Sequence, residues 1–336
     1  MHNTTLRGFS IFTSLYLSAA LLSSCGGSGQ SSVPQPVSNQ RANVGVKPGV
    51  HWYVSVGADR RGQALQDLDY FSSTITIDAG DSITWTFKAS EHTVSFLLPN
   101  QSPFTAPLAP AGGSTEDGTA FTSSGVRDIG QTYTLTFPKP GTYAYNCLLH
   151  PPEMAGKVIV QNAGVPYPHS QGYYRGQGNK TANAELAAGQ ASVALFPYTN
   201  GGATAVAGIS PGLTGMPPSH STVYRFLNAN NLNSTTIDIS VGTTVTWVNL
   251  TNNEPHTVTF PVAGQPLPPD VANNPFSPPS GGSTYDGSVV TNSGPFGSAV
   301  GFPTNTYSLK FTKAGSFVYY CLFHDEFGMI GIVKVH

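Results

Sequence analysis

The sequence predicts an all-β protein made of two β-sandwiches or barrels in tandem. Three observations carry that prediction. The second half repeats the first, apolar and polar residues alternate along short runs, and those runs are rich in Val, Ile, Thr and aromatics with Gly, Pro, Asn and Ser between them. A period of two turns one face of an extended segment toward a core and the other toward water. Short strands punctuated by turn residues fit a sandwich or barrel. The length of 336 residues suits two domains at about 100–200 residues each.

In chain order, no charged residue occurs between Arg7 and Arg41, and Phe9 to Leu22 is apolar. That run falls short of the roughly 20 residues needed to span a bilayer, so residues 1–25 read as a secretory signal. Residues 26–48 are Gly/Ser/Gln/Pro-rich without hydrophobic periodicity, the composition of a flexible tether with a reach of roughly 25–30 Å. Domain one is expected at 49–162 and domain two at 221–336. Tyr133, Leu135 and Phe137 alternate with threonines, and Tyr307, Leu309 and Phe311 repeat the pattern. Between the domains, residues 163–220 read as a Gly/Pro-rich linker with one short helix, Ala182 to Leu195.

The repeat is a duplication rather than a short-period solenoid. Gly80 to Trp85 (GDSITW) returns as Gly242 to Trp247 (GTTVTW), and Glu91-His92-Thr93-Val94 returns as Pro255-His256-Thr257-Val258. Gly141 to Cys147 (GTYAYNC) returns as Gly315 to Cys321 (GSFVYYC).

Composition excludes several classes. With 15 Lys+Arg against 17 Asp+Glu, a net charge of −2 and 10 % charged residues, the chain lacks the basic surface that phosphate neutralisation requires, so no nucleic-acid partner is expected. Three cysteines, Cys25, Cys147 and Cys321, are too few for a disulfide-stapled scaffold. Gly208-Ile209-Ser210-Pro211-Gly212 has the letters of a nucleophile elbow. That motif takes an oxyanion donor from the N–H after the serine, and Pro211 has none.

Each half carries a histidine in mid-domain and a cluster near its end: His92 with Cys147, His150 and Met154, and His256 with Cys321, His324 and Met329. The chain has four methionines, and two of them follow the repeated Cys-x2-His. A thiolate, two imidazoles and a weak thioether form the ligand set of a blue-copper centre, so two copper ions are expected. A loop joining two strands at one end of a barrel can present Cys, His and Met around one point.

On these motifs both halves resemble cupredoxins of the plastocyanin, pseudoazurin and halocyanin type. The resemblance implies Greek-key topology, a type 1 copper cycling between Cu(I) and Cu(II) in each half, and electron transfer rather than catalysis. Domain two has the plastocyanin-like Cys-x2-His-x4-Met, whereas domain one is one residue shorter at Cys-x2-His-x3-Met. By the same resemblance His150 and His324 are expected at the surface as electron exits. Apolar patches from Leu148, Leu149, Pro151 and Pro152, and from Leu322, Phe323 and Phe327, would receive a redox partner such as a cytochrome or another copper protein. Leu22-Ser23-Ser24-Cys25 resembles a bacterial lipobox, which implies lipidation at Cys25 and a membrane-anchored envelope protein, periplasmic or on the outer face.

Multicopper oxidases resemble this architecture but add a trinuclear cluster of eight histidines in His-x-His pairs. Of nine histidines here, four sit in the motifs and His2 in the leader, leaving His51, His169, His220 and His336 without any His-x-His pair. Copper nitrite reductases and oxidases place a histidine beside the copper cysteine, whereas the neighbours here are Asn146 and Leu148, and Tyr320 and Leu322. No catalytic residue is therefore expected. Two non-enzymatic alternatives share these ligands: copper storage or delivery, and an adhesion module with vestigial sites.

Overall fold

The structure, a computed structural model, describes residues 48–195, 203–210, 220–251, 254–297 and 301–336. The leader, Cys25 and all but the last residue of the tether lie outside the described residues. Among the described residues no helix is long and apolar enough to cross a membrane.

The first half contains β1 (His51–Arg60), β2 (Leu65–Phe71), β3 (Thr74–Asp78), β4 (Ser82–Phe87), β5 (Ser95–Phe96), β6 (Thr122–Ser123), β7 (Thr132–Thr136), β8 (Gly141–Asn146) and β9 (Ala155–Gln161). A helix, α1 (Gln171–Leu195), leads to β10 (Thr204–Ile209), β11 (Ser221–Asn228), β12 (Thr236–Ile239), β13 (Thr244–Leu250) and β14 (Thr259–Phe260). A short helix, α2 (Pro269–Ala272), precedes β15 (Thr284–Tyr285), β16 (Thr291–Asn292), β17 (Thr306–Phe311), β18 (Gly315–Tyr320) and β19 (Ile330–Val335).

Each half closes around an aromatic core predicted by its alternating strands. Trp85 is fully buried against Phe96, Phe137 and Tyr145, with ring centroids 5.9, 6.3 and 5.5 Å away. Trp247 repeats the arrangement with Phe260, Phe311 and Tyr319 at 5.8, 6.5 and 5.3 Å. Offset and edge-on ring packing of this kind adds about 0.5–1.5 kcal/mol per pair beyond area burial.

The two halves are not beads on a linker. A nine-stranded sheet runs β15-β17-β13-β10-β11-β2-β1-β4-β7 through both, and each half packs its own five-stranded sheet on it, β3-β9-β8-β5-β6 and β12-β19-β18-β14-β16. The seam is antiparallel pairing of β11 with β2, Ser221 opposite Asp67 and Val223 opposite Leu65. Tyr224 crosses it to donate its hydroxyl hydrogen to Gln66 Oε1 at 2.8 Å. Pairing two edges in this way also removes an exposed edge from each half.

The region read as a linker differs from that reading in two respects. Thr204–Ile209 is a strand of the nine-stranded sheet, parallel to β13 as β1 is parallel to β4. It is the first strand of the second half, and its run of small residues, TAVAGI, gave little alternation to read. The helix is also not short, for it begins at Gln171 instead of Ala182. Gly172, Gly176 and Gly178 lower helix propensity by about 1 kcal/mol each relative to Ala, but packing overrides that cost. A Cβ at Gly178 would lie 2.9 Å from the Cβ of Phe71, and one at Gly189 would lie 2.7 Å from Leu65 Cδ1 and Ser221 Cβ. The glycines let α1 lie directly on β2 and on the seam.

Propensity and packing therefore predict opposite outcomes at two neighbouring positions. Gly176, where an added Cβ would meet nothing within 4 Å, should gain about 0.5–1 kcal/mol on Gly176→Ala. Gly178→Ala should lose about 1–3 kcal/mol through overpacking. Urea unfolding of the two variants checks both signs.

Candidate metal centres

The loop from β8 to β9 carries Cys147, His150 and Met154, and β5 is preceded by His92. Cys147 donates its N–H to the Met154 carbonyl at 3.0 Å, and Met154 donates to the His150 carbonyl at 3.0 Å. The loop is thus folded back on itself, which brings Met154 beside Cys147 in the same buried cluster. The second half repeats this, Cys321 donating to the Met329 carbonyl at 3.1 Å and Met329 to the His324 carbonyl at 3.1 Å.

Thr93 and Thr257 pin the loops to the strands behind them. Each donates its backbone N–H toward the cysteine sulfur at 3.4 Å, and each hydroxyl accepts the N–H of the residue after the cysteine, Leu148 at 2.9 Å and Leu322 at 2.8 Å.

The donor atoms converge. In the first half Cys147 Sγ lies 3.3 Å from His150 Nδ1 and 3.8 Å from His92 Nδ1, and the two nitrogens are 3.2 Å apart. In the second half the distances are 3.4 Å from Cys321 Sγ to His324 Nδ1, 3.6 Å to His256 Nδ1 and 3.1 Å between nitrogens. First-row metals bind imidazole nitrogen at about 2.0–2.1 Å and thiolate at about 2.3 Å, so one ion fits at the centre of each triangle. All six residues are buried, and a thiolate with two imidazoles in a closed apolar site suits copper.

Gly57 and Gly208 make room for this. Each sits at a bulge in β1 or β10 with φ of +66° or +69°, and a Cβ there would come within 2.7 Å of His92 Nε2 or 2.4 Å of His256 Nε2. The elbow-like letters around Gly208 therefore mark a backbone that must pass close to an imidazole.

The electrostatics follow from burial and from the partners each atom meets. Burial holds His92 below its ordinary range, and burial together with the charge of His324 holds His256 well below it. Burial alone would raise Cys147, but the charge on His150 and hydrogen bonds from His150 and His92 hold the thiol well below its usual value. His92, His256 and Cys147 are thus held in the forms that bind a metal, whereas, against burial, Glu254 and then Cys147 raise His150 and Cys321 and then Glu254 raise His324, so a metal must displace a proton from each loop imidazole.

The outer nitrogens of the loop histidines do not face solvent, contrary to the expectation of surface exits. His150 and His324 are 5 % and 3 % exposed, because the β2–β11 seam sets the two loops against each other. Between them lies Glu254, itself 5 % exposed. Its Oε1 is 3.0 Å from His150 Nε2, and its Oε2 is 3.5 Å from His324 Nε2. One buried carboxylate thus spans the two loops. Burial would raise its pKa, but the charge of His150 and contacts with both imidazoles hold it well below the carboxylate range. The Glu254 carbonyl accepts hydrogen bonds from Asn249 Nδ2 and Thr251 Oγ1, both at 2.8 Å. Sequence reasoning missed Glu254; its one signal was an acid two residues before His256 in a chain with few charges.

The expected apolar patches divide. Leu148, Leu149 and Phe323 line a cleft of about 440 Å³ that reaches His150, Glu254 and His324, together with Phe104, Leu108, Phe276 and Phe302. Phe104 and Phe276 are 73 % and 65 % exposed at its rim. Phe327 instead is buried in the core of the second half, and Leu322 is also buried.

The family described as copper binding proteins of the plastocyanin/azurin type matches residues 58–161 and 228–336, one match per half. The chain belongs to the plastocyanin/azurin family of copper-binding proteins. It is 34 % identical over 110 residues to the chloroplastic plastocyanin of Tetradesmus obliquus, covering 32 % of this chain and 66 % of that plastocyanin. Among solved structures it is similar to an oxidised methionine-to-leucine mutant of amicyanin, at 24 % identity with a TM-score of 0.23, covering 33 % of this chain and 81 % of that one. The reduced Cu(I) form of another amicyanin mutant at pH 4 matches at 27 % identity with a TM-score of 0.24, covering 35 % and 87 %.

The glycine argument gives a site-specific outcome. Gly208→Ala should weaken metal binding by the second centre at least tenfold while leaving the first unchanged, and Gly57→Ala should do the reverse. Titration of each variant with copper, followed optically, reads both sites in one experiment.

Proposed function

We propose that this protein is an electron carrier with two type 1 copper centres, held by His92, Cys147, His150 and Met154 and by His256, Cys321, His324 and Met329. The observation that carries the reading is the pair of buried triangles, each with one sulfur and two Nδ1 atoms facing a common point. Copper supplies the one-electron Cu(I)/Cu(II) couple. The chain's own contribution is a site whose ligands are fixed by strands, by Thr93 and Thr257, and by loops closed on themselves, so that little rearrangement opposes a change of charge.

Glu254 extends the proposal. With Nδ1 directed to the metal, each loop imidazole turns its Nε2 toward the same carboxylate, so His150–Glu254–His324 forms a continuous path between the centres. The apolar cleft above these residues is the proposed contact for a redox partner protein, a cytochrome or another copper protein. Its apolar rim favours docking that depends weakly on salt. Burial of all four histidines disfavours the storage or delivery alternative, which needs ready exchange of metal. The leader and the residues around Cys25 support an envelope protein anchored through a lipid on that cysteine.

Oxidised protein should hold two coppers per chain and show an intense visible band from thiolate-to-copper charge transfer. Cys147→Ser and Cys321→Ser should each remove about half of that band, and the double variant all of it; colourless protein under excess copper and oxidant refutes the reading. Glu254→Leu should keep the colour yet slow electron exchange between half-reduced centres at least tenfold in flash-reduction experiments. An unchanged rate would remove Glu254 from the path. Cys25→Ala should move the protein from the membrane fraction to the soluble one.

A further inference from the structure

A third group of metal-type donors lies away from both sulfur centres, where β2, α1 and the start of β11 meet. His220 Nδ1 is 3.7 Å from Asp69 Oδ2 and 3.8 Å from Glu185 Oε2. One ligand atom from each of the three lies within 4.8 Å of the others. These separations are longer than ordinary hydrogen bonds, and His220 Nδ1 faces the two carboxylates with no closer hydrogen-bond partner. They match two donors on either side of one ion at about 2.0–2.2 Å.

Asp67 provides a second observation. It is fully buried, and the groups acting on it are the carboxylates of Glu185, with which its protonated form shares a hydrogen bond, and of Asp69. Burial first, and then the charge of Glu185, push its carboxyl up to about 10. An unpaired buried carboxylate is costly unless a cation meets it or it takes up a proton.

The backbone fixes these side chains in place. Asp69 Oδ1 accepts the N–H of Tyr70 at 2.6 Å, which leaves Oδ2 toward His220. The His220 N–H donates to Glu185 Oε2 at 3.1 Å, and its carbonyl accepts from the Leu68 N–H at 3.1 Å. The groups acting on His220 are Asp69, Glu185 and Glu153.

We propose that Asp69, Glu185 and His220, with Asp67 behind them, form a third metal site for a divalent transition-metal ion, zinc or copper(II). Imidazole and carboxylate without sulfur are the donors these ions accept, and the affinity order of first-row ions favours them over manganese or iron. The site goes beyond the two sulfur centres in kind as well as place. Its ligands come from the first half, the connecting helix and the residue just before β11, so an ion bound there ties α1 to the seam. His220, whose side chain is 40 % exposed, is the side from which an ion enters.

The test uses the untagged full chain with two equivalents of copper already bound, titrated calorimetrically with Zn2+. One further zinc per chain is expected with the visible copper band unchanged. Glu185→Gln and His220→Gln should each weaken that zinc at least tenfold, and the zinc-induced rise in melting temperature should disappear in both. The copper band reports whether each variant is folded. Zinc-edge X-ray absorption should show nitrogen and oxygen ligands including one imidazole. No additional zinc, equal affinity in the variants, zinc that displaces copper, or sulfur in the zinc shell would each overturn the proposal. The cluster would then be a proton-sharing carboxyl group.

Discussion

The pairing of β2 with β11 is the constraint on which the rest of the molecule depends. Two sandwiches with their own aromatic cores can fold side by side without touching. Joining their edge strands instead fixes their relative rotation, because antiparallel hydrogen bonds define both register and direction. Once Ser221 is opposite Asp67 and Val223 opposite Leu65, the metal-loop ends of the two halves must face each other. The burial of His150 and His324, the placement of Glu254 and the walls of the apolar cleft all follow from that register. So does the third cluster, in which Asp67 and Asp69 lie on β2 and His220 immediately precedes β11.

Much of the fold within each half was legible in the sequence, and little of the arrangement between halves was. Tyr133, Leu135 and Phe137 announced β7 through their period, and the GDSITW and GTTVTW repeats marked the strands carrying Trp85 and Trp247. The donor residues were legible because Cys-x2-His recurs with a methionine after it, and the structure brings each Cys and its two His together. The helix was half legible. Its alanine-rich end read as helical, whereas its glycine-rich start did not, since the gain there comes from contact with Phe71 rather than from local propensity.

Glu254 and His220 were illegible for a related reason. A charged residue acquires its role from what surrounds it in space, and their partners are far away in sequence: His150 for Glu254, and Asp69 for His220. His220 was set aside because four histidines are too few for a trinuclear cluster. That count says nothing about a mixed imidazole–carboxylate site. Surface exposure of the loop histidines failed as an expectation because here the second half and Glu254 cover that end of the first barrel, and the first half covers that end of the second.

The duplication has not produced two identical centres. The Tyr224 ring stacks on His324 with centroids 4.1 Å apart and planes 8° apart. Register gives the equivalent place in the first half to Leu68, since Val56 pairs with Tyr70 as Ala207 pairs with Phe226. Among the described residues His150 therefore has no ring stacked on it as Tyr224 stacks on His324, and it sits closer to Glu254, at 3.0 Å against 3.5 Å. The loop of the first half is also one residue shorter between His and Met. The groups around a metal-bound histidine tune the metal's electron affinity as much as the ligand itself does. Two sites with the same donors and different walls thus differ in potential under the proposed function. A shared carboxylate between unequal sites gives an electron a preferred side, which two separate copies of one domain would not provide.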